Sequence, residues 1–146
     1  MPTRLNPYLN FRNNAQEAME FYQSVFGGEL SVSTFGDFGV SDDADEKDKV
    51  MHSQLESPNG LVLMAADVPN SMDHTVGNNV SVSLSGEDEA TLTEYWNGIS
   101  AGATINEQLT KAPWGDTFGM CTDKFGVHWL VNITGAGPEE PGANPE

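Results

Sequence analysis

His52 and His128 are the residues in this chain best suited to proton chemistry, because each falls in a run that reads as a β-strand and imidazole exchanges protons near neutral pH. One could act as a general base and the other as an orienting donor. The competing reading makes both polar strand lining without catalytic duty, and the lack of a paired acid favours it. A metal held by His52, His128 and Asp116 would need three scattered residues with no ligand spacing between them. Trp114, Phe118, Met120 and Met64 could form an aromatic and thioether wall for a small organic ligand, or could simply be core. Tyr8, Asn10 and Gln54 add polar groups at alternate strand positions. Cys121 alternates with Met120, which suits a buried small hydrophobe better than a nucleophile.

The elements that must position these groups come from a near-repeat. Ala18-Met19-Glu20-Phe21-Tyr22 followed by Gly27-Gly28 returns as Leu92-Thr93-Glu94-Tyr95-Trp96 followed by Ala101-Gly102. The run Glu56 to Met64 returns as Thr122 to Leu130. So long a period is not that of a solenoid, which repeats every ~20–50 residues, and it implies two similar half-domains.

Pattern and turn chemistry predict β-α-β-β-β in each half. In the first half, Leu5 to Phe11 reads as a strand, and Asn13 or Asn14 caps a helix with Glu17 in a capping box. Ala15, Ala18, Met19, Tyr22 and Phe26 recur at helical spacing. Strands follow over Glu29 to Phe35, Val50 to Glu56 and Leu61 to Ala66, and Asp37 to Asp48 is expected to be a mobile acidic loop. In the second half the strands are Asn79 to Leu84, Thr104 to Leu109, Trp114 to Thr122 and Val127 to Ile133, with a helix over Glu87 to Ser100. The expected organisation is a single domain over residues 1–134, with module one at 4–67, a linker at 68–78 and module two at 79–134. Residues 135–146, rich in Gly, Pro and Glu, read as a disordered acidic tail.

Strand parity sorts the candidates. His128, Leu130 and Asn132 share one face, opposite Val127, Trp129, Val131 and Ile133. By the same count His52 and Gln54 oppose Met51, Ser53 and Leu55, so both histidines are expected to face a concave, partly wet surface.

Composition limits the partners. The net charge of -16, from 22 acidic and 6 basic residues, argues against nucleic acid, whose phosphates require clustered Lys and Arg. Much of the acidity sits in Asp42-Asp43-Ala44-Asp45-Glu46 and in the tail, where it serves solubility or adaptation to salt. The lone cysteine excludes an internal disulfide. With no run apolar enough to span a bilayer and no leader-like N-terminus, the expectation is a soluble cytoplasmic protein without a membrane partner.

The repeated helix motif, Phe26-Gly27-Gly28, Val50-Met51-His52, the run Trp114 to Met120 and the run Thr122 to Trp129 resemble the vicinal oxygen chelate superfamily, which includes glyoxalase I, bleomycin-resistance proteins and extradiol dioxygenases. More narrowly, the chain resembles its PhnB-like branch, often labelled with a ubiquinone-methyltransferase name. The resemblance implies an α+β fold of two βαβββ modules, with a curved mixed sheet around a cavity, and a homodimer. In metal-dependent members the first and last strands of each half supply ligands. The matching positions here are Met64, Leu130 and residues within Asn6-Pro7-Tyr8 and Val80-Ser81-Val82, none of them His or Glu. No metal and no cofactor are therefore expected. No glycine-rich strand-to-helix turn supports the methyltransferase label. The expected function is metal-independent binding of a small organic molecule; the alternative is a glyoxalase-like lyase, isomerase or related enzyme using His52 or His128, or a metal at an unusual site. A purely structural dimerisation module is a third, weaker reading.

Overall fold

The computed structural model describes residues 3–39 and 46–135. It divides into two compact units at Val76 and Gly77, and each is a β-α-β-β-β module. The fold class is α+β as the sequence indicates. Residues 40–45 of the acidic loop and 136–146 of the tail lie outside the described residues.

The first module contains β1 (Tyr8–Phe11), α1 (Ala15–Phe26), β2 (Glu29–Thr34), β3 (Val50–Glu56) and β4 (Val62–Asp67). Its sheet runs β1-β4-β3-β2, with β1 parallel to β4 and the other pairs antiparallel. Ala15, Ala18, Met19, Tyr22 and Phe26 form one stripe along α1, and all five are buried. The helix packs on β2, β3 and β4. Burial of Met19 and Tyr22, both fully covered, contributes about 2 kcal/mol each. Gly27 ends the helix at φ +73°, its N–H returning to the Gln23 carbonyl at 2.8 Å.

The start of α1 departs from the sequence expectation. Asn14 is the N-cap residue but its side chain caps nothing. Asp67, at the end of β4, reaches across instead: its Oδ1 accepts from the Ala15 N–H at 2.9 Å and its Oδ2 from the Val50 N–H at 2.9 Å. A carboxylate held by two backbone donors outcompetes a local amide for that position. Asn13 takes the left-handed conformation, φ +78°, which asparagine tolerates better than most residues.

β1 begins at Tyr8 rather than Leu5, since Pro7 has no N–H to give a ladder; only its carbonyl is used, accepting from the Met64 N–H at 3.2 Å. β3 carries a bulge at Met51. Val50 pairs with Thr34 and His52 with Ser33, so two residues of β3 advance against one of β2. The bulge puts Val50 on the buried side with Ser53 and Leu55.

The second module contains β5 (Val82–Gly86), α2 (Glu89–Ile99), β6 (Thr104–Lys111), β7 (Thr117–Thr122) and β8 (His128–Ile133). Its sheet runs β5-β8-β7-β6, again with one parallel pair, β5 with β8. Leu92, Tyr95, Trp96 and Ile99 are the buried stripe of α2, packed on β5 and β8. Asp88 caps this helix, accepting from the Thr91 N–H at 3.1 Å and from its hydroxyl at 2.8 Å. Trp129, Val131, Ile133 and Cys121 form the buried face of the sheet.

Trp114 is not on β7, which begins only at Thr117. The Ala112 N–H donates to the Asp116 carbonyl at 2.6 Å and the Gly115 N–H to the Ala112 carbonyl at 3.0 Å, closing a tight turn that places Pro113 and Trp114 outside the ladder. Among the described residues no helix is long and apolar enough to cross a membrane.

Candidate functional site

Strand alternation leaves each sheet one face without a helix, and the candidate residues collect there. In the first module Ser53, Leu55, Leu63 and Ala65 lie buried on the α1 side. His52, Gln54 and Met64 take the opposite face. Tyr8 pairs with Met64, Met64 with Gln54, and Gln54 with Ser31, making one row across all four strands. Asn10 joins the same face opposite Ala66.

Tyr8 and His52 meet diagonally. The phenol oxygen lies 3.5 Å from His52 Nδ1, a long contact, with ring centroids 6.0 Å apart. Partial burial holds the Tyr8 hydroxyl above its usual pKa, so it stays a neutral donor and acceptor. Gln54 donates to a Glu56 carboxylate oxygen at 2.7 Å.

In the second module one row is Ser83, Leu130, Met120 and Glu107, and the next is Ser85, Asn132, Phe118 and Thr110. Both carboxylate oxygens of Asp116 are engaged: Asn132 Nδ2 donates to Oδ2 at 3.2 Å and the Gly135 N–H to Oδ1 at 3.1 Å. His128 Nδ1 lies 3.0 Å from the Thr122 hydroxyl. Trp114 stands in the preceding turn, 45% exposed. Cys121 lies on the buried face, where burial and the nearby Asp123 carboxylate push its thiol pKa up to about 11, leaving no nucleophile at neutral pH.

Tyr8, Asn10, His52, Gln54 and Met64 thus share the open face of the first sheet, and Phe118, Met120 and His128 that of the second. Asp116 is fixed to Asn132, away from a catalytic hydrogen bond. Thr122, Ser83 and Ser85 escaped the sequence reading. The turn expected over Asp123 to Gly126 would set Thr122 opposite Val127; in the structure Asp123 itself pairs with Val127, and this sets Thr122 opposite His128.

The positions at which, by the resemblance drawn from sequence, metal-dependent members of the vicinal oxygen chelate superfamily supply ligands can be placed directly. Met64 is paired with Tyr8 and Leu130 with Ser83, the latter one residue beyond the span 80–82 expected from sequence. A thioether, a phenol, a hydroxyl and an isobutyl group do not fit a glyoxalase-type divalent ion, which takes imidazole and carboxylate. Among the described residues no three His, Cys, Asp or Glu side chains are grouped to hold a metal. A nucleoside-type methyl donor fits no better at the helix N-termini: Asp67 occupies that of α1 and Asp88 that of α2, so a negative charge already stands where the donor's carboxylate would bind.

A family described as 3-demethylubiquinone-9 3-methyltransferase matches residues 3–132. Protein YjdN of Escherichia coli K12 is 24% identical over 147 residues, spanning 93% of this chain and 99% of that protein. Protein PA1353 of Pseudomonas aeruginosa has a solved structure that superposes with a TM-score of 0.80 at 33% identity, over 90% of this chain and 98% of that one. A PhnB protein of Bacillus cereus superposes at 0.71 with 24% identity, over 90% and 100% of the two chains. A glyoxylase/bleomycin resistance protein/dioxygenase domain from Frankia shares the fold, at a TM-score of 0.61 and 14% identity over 91% and 98%. The methyltransferase wording of the family description finds no counterpart in the helix N-termini, and the paired modules have the fold of the glyoxylase/bleomycin resistance protein/dioxygenase domain; by the match over residues 3–132, the chain belongs to the family so described.

Proposed function

We propose that this protein binds a small organic molecule, without a metal, on the helix-free sheet faces that carry Tyr8, Asn10, His52, Gln54 and Met64 in one module and Asp116, Phe118, Met120 and His128 in the other, with Trp114 beside them. The observation that carries this reading is the composition of the rows: thioether, aromatic and aliphatic groups stand beside neutral hydrogen-bonding side chains, with one carboxylate, Glu107, at the β6 end, where metal-dependent members of the resembled superfamily place ligands. Such a surface matches a ligand with an apolar body and a few polar atoms. The working protein is a homodimer, a pairing that protects exposed strand edges. Light scattering at micromolar concentration tests the pairing, and a strictly monomeric mass overturns it.

A second reading, a glyoxalase-like lyase or isomerase, draws on the 3.5 Å contact between Tyr8 and His52, which could pass a proton. One experiment separates the two. Purified protein is assayed for Zn, Ni, Mn and Fe, and for turnover of the methylglyoxal–glutathione hemithioacetal before and after those metals are added. Metal-free, inactive protein whose Trp114 fluorescence is quenched by small aromatic compounds, with the quenching lost in Trp114→Phe, supports binding. About one metal per chain, lost together with activity in His52→Ala, supports the enzyme instead.

A further inference from the structure

We infer that Asn106 and Thr122 are positioning residues that fix His128 in its Nδ1–H form, presenting a bare Nε2 lone pair that accepts an O–H or N–H from the ligand. The inference rests on the proposal that the open face of the second sheet binds ligand, and it names one chemical feature of that ligand.

The Thr122 hydroxyl has one hydrogen, which it donates to Asn106 Oδ1 at 3.2 Å. Its oxygen also lies 3.0 Å from His128 Nδ1. With its own hydrogen committed, the hydroxyl can only accept from that nitrogen, so Nδ1 carries the proton and Nε2 does not. A neutral imidazole in water favours the opposite tautomer, so the strand pair reverses the ordinary preference.

The backbone supports the relay. Thr122 is the cross-strand partner of His128 across β7 and β8. On its other side Thr122 faces Thr104 of β6, and a register irregularity between Ile105 and Glu107 falls at Asn106. Such an irregularity re-aims the side chain it carries, and Asn106 turns toward Thr122. Among the described residues the first module has no equivalent, for the contact of His52 Nδ1 there is the longer one to Tyr8. The two histidines are therefore chemically distinct although they occupy comparable faces.

The test reads the tautomer without any ligand. Long-range proton–nitrogen correlation spectra of 15N-labelled protein, taken at alkaline pH where imidazole is neutral, should show His128 with a protonated-type Nδ1 and an unprotonated-type Nε2. Asn106→Asp, whose carboxylate can only accept, and Thr122→Ser, which keeps the hydroxyl, should preserve that pattern. Thr122→Val should exchange the two nitrogen shifts. Should Thr122→Val fail to fold, Asn106→Leu replaces it, and a loss of the pure Nδ1–H pattern is expected. An Nε2–H form in the wild type overturns the inference, since Asn106 would then present its amide N–H₂ to Thr122 and the hydroxyl would donate to His128.

Phenol and its methyl ether, anisole, then probe recognition. Phenol should move the Nε2 resonance of the wild type and not that of Thr122→Val, and anisole should move neither. Equal shifts from both probes, or none from phenol at His128 while it binds elsewhere, overturn the donor assignment. No binding of either probe to any part of the protein counts against the proposed binding function, whatever the tautomer.

Discussion

Asp123 and Trp129 are joined by a hydrogen bond from the indole N–H to Oδ2 at 2.8 Å, inside the turn that connects β7 to β8. Asp123 Oδ1 accepts from the Phe125 and Val127 N–H groups at 2.8 and 3.0 Å. A 4% exposed carboxylate thus closes the turn and anchors the largest buried side chain of the sheet. Ser57 holds the corresponding turn of the first module, donating to the Phe26 carbonyl at 3.1 Å.

Removing that carboxylate should take away the acceptor shared by a buried indole N–H and two turn amides. Asp123→Ala is expected to cost about 3 kcal/mol in urea denaturation, and Asp123→Asn about half of that, because an amide retains one accepting oxygen. Ser57→Ala, which loses the bond to the Phe26 carbonyl and the longer one accepted from the Asn59 N–H at 3.4 Å, should cost about 1 kcal/mol.

Capping offers a contrast between two neighbours. Asn14→Ala should change stability by less than about 0.5 kcal/mol despite its N-cap position, whereas Asp67→Ala should cost about 2 kcal/mol by releasing both the Ala15 and Val50 amides. Equal losses in the two variants would contradict the assignment of Asp67 as the cap.

Cys121 should resist iodoacetamide at pH 8 in folded protein and react at once in urea. Its folded pKa of about 11 lies above the ordinary 9.0, so the fold favours the neutral thiol. That contribution is complete below pH 9.0 and is lost as pH rises through about 11. Cys121→Ala should therefore flatten the alkaline limb of a stability–pH profile, and an unchanged limb would refute the link.

Two glycines after the helices should respond unequally. A Cβ on Gly28 would meet the Glu56 carbonyl oxygen, and its φ is +99°. At Gly102, φ +76°, it would meet only the flexible Lys124 side chain at 3.5 Å. Gly102→Ala should cost about 1 kcal/mol from backbone strain alone, and Gly28→Ala distinctly more, as thermal melts would show.

The repeat motif, the helix stripes and the parity of β3 and β8 were legible because each depends on local period. Met19 and Tyr22 announce their burial by spacing, and His128 its face by alternation with Trp129. The Asp67 cap was hidden, since nothing local distinguishes a carboxylate at a strand end from one that reaches a helix 52 residues away. The bulge at Met51 was equally invisible, as it arises from pairing with Ser33 and Thr34. Trp114 looked like strand because an aromatic beside alternating residues fits that pattern, yet Pro113 and Gly115 set the turn. The Asn106–Thr122–His128 relay required knowledge of which strands pair.

The bulge at Met51 has a consequence for how this scaffold can vary. By absorbing one residue of phase, and with the Val50 amide pinned to Asp67, it insulates the facing of His52 and Gln54 from the length of the chain that enters β3. Segments of different length could be exchanged between Gly36 and Lys49 without rotating the open face of the sheet, so the connection can diversify while the strands stay in register.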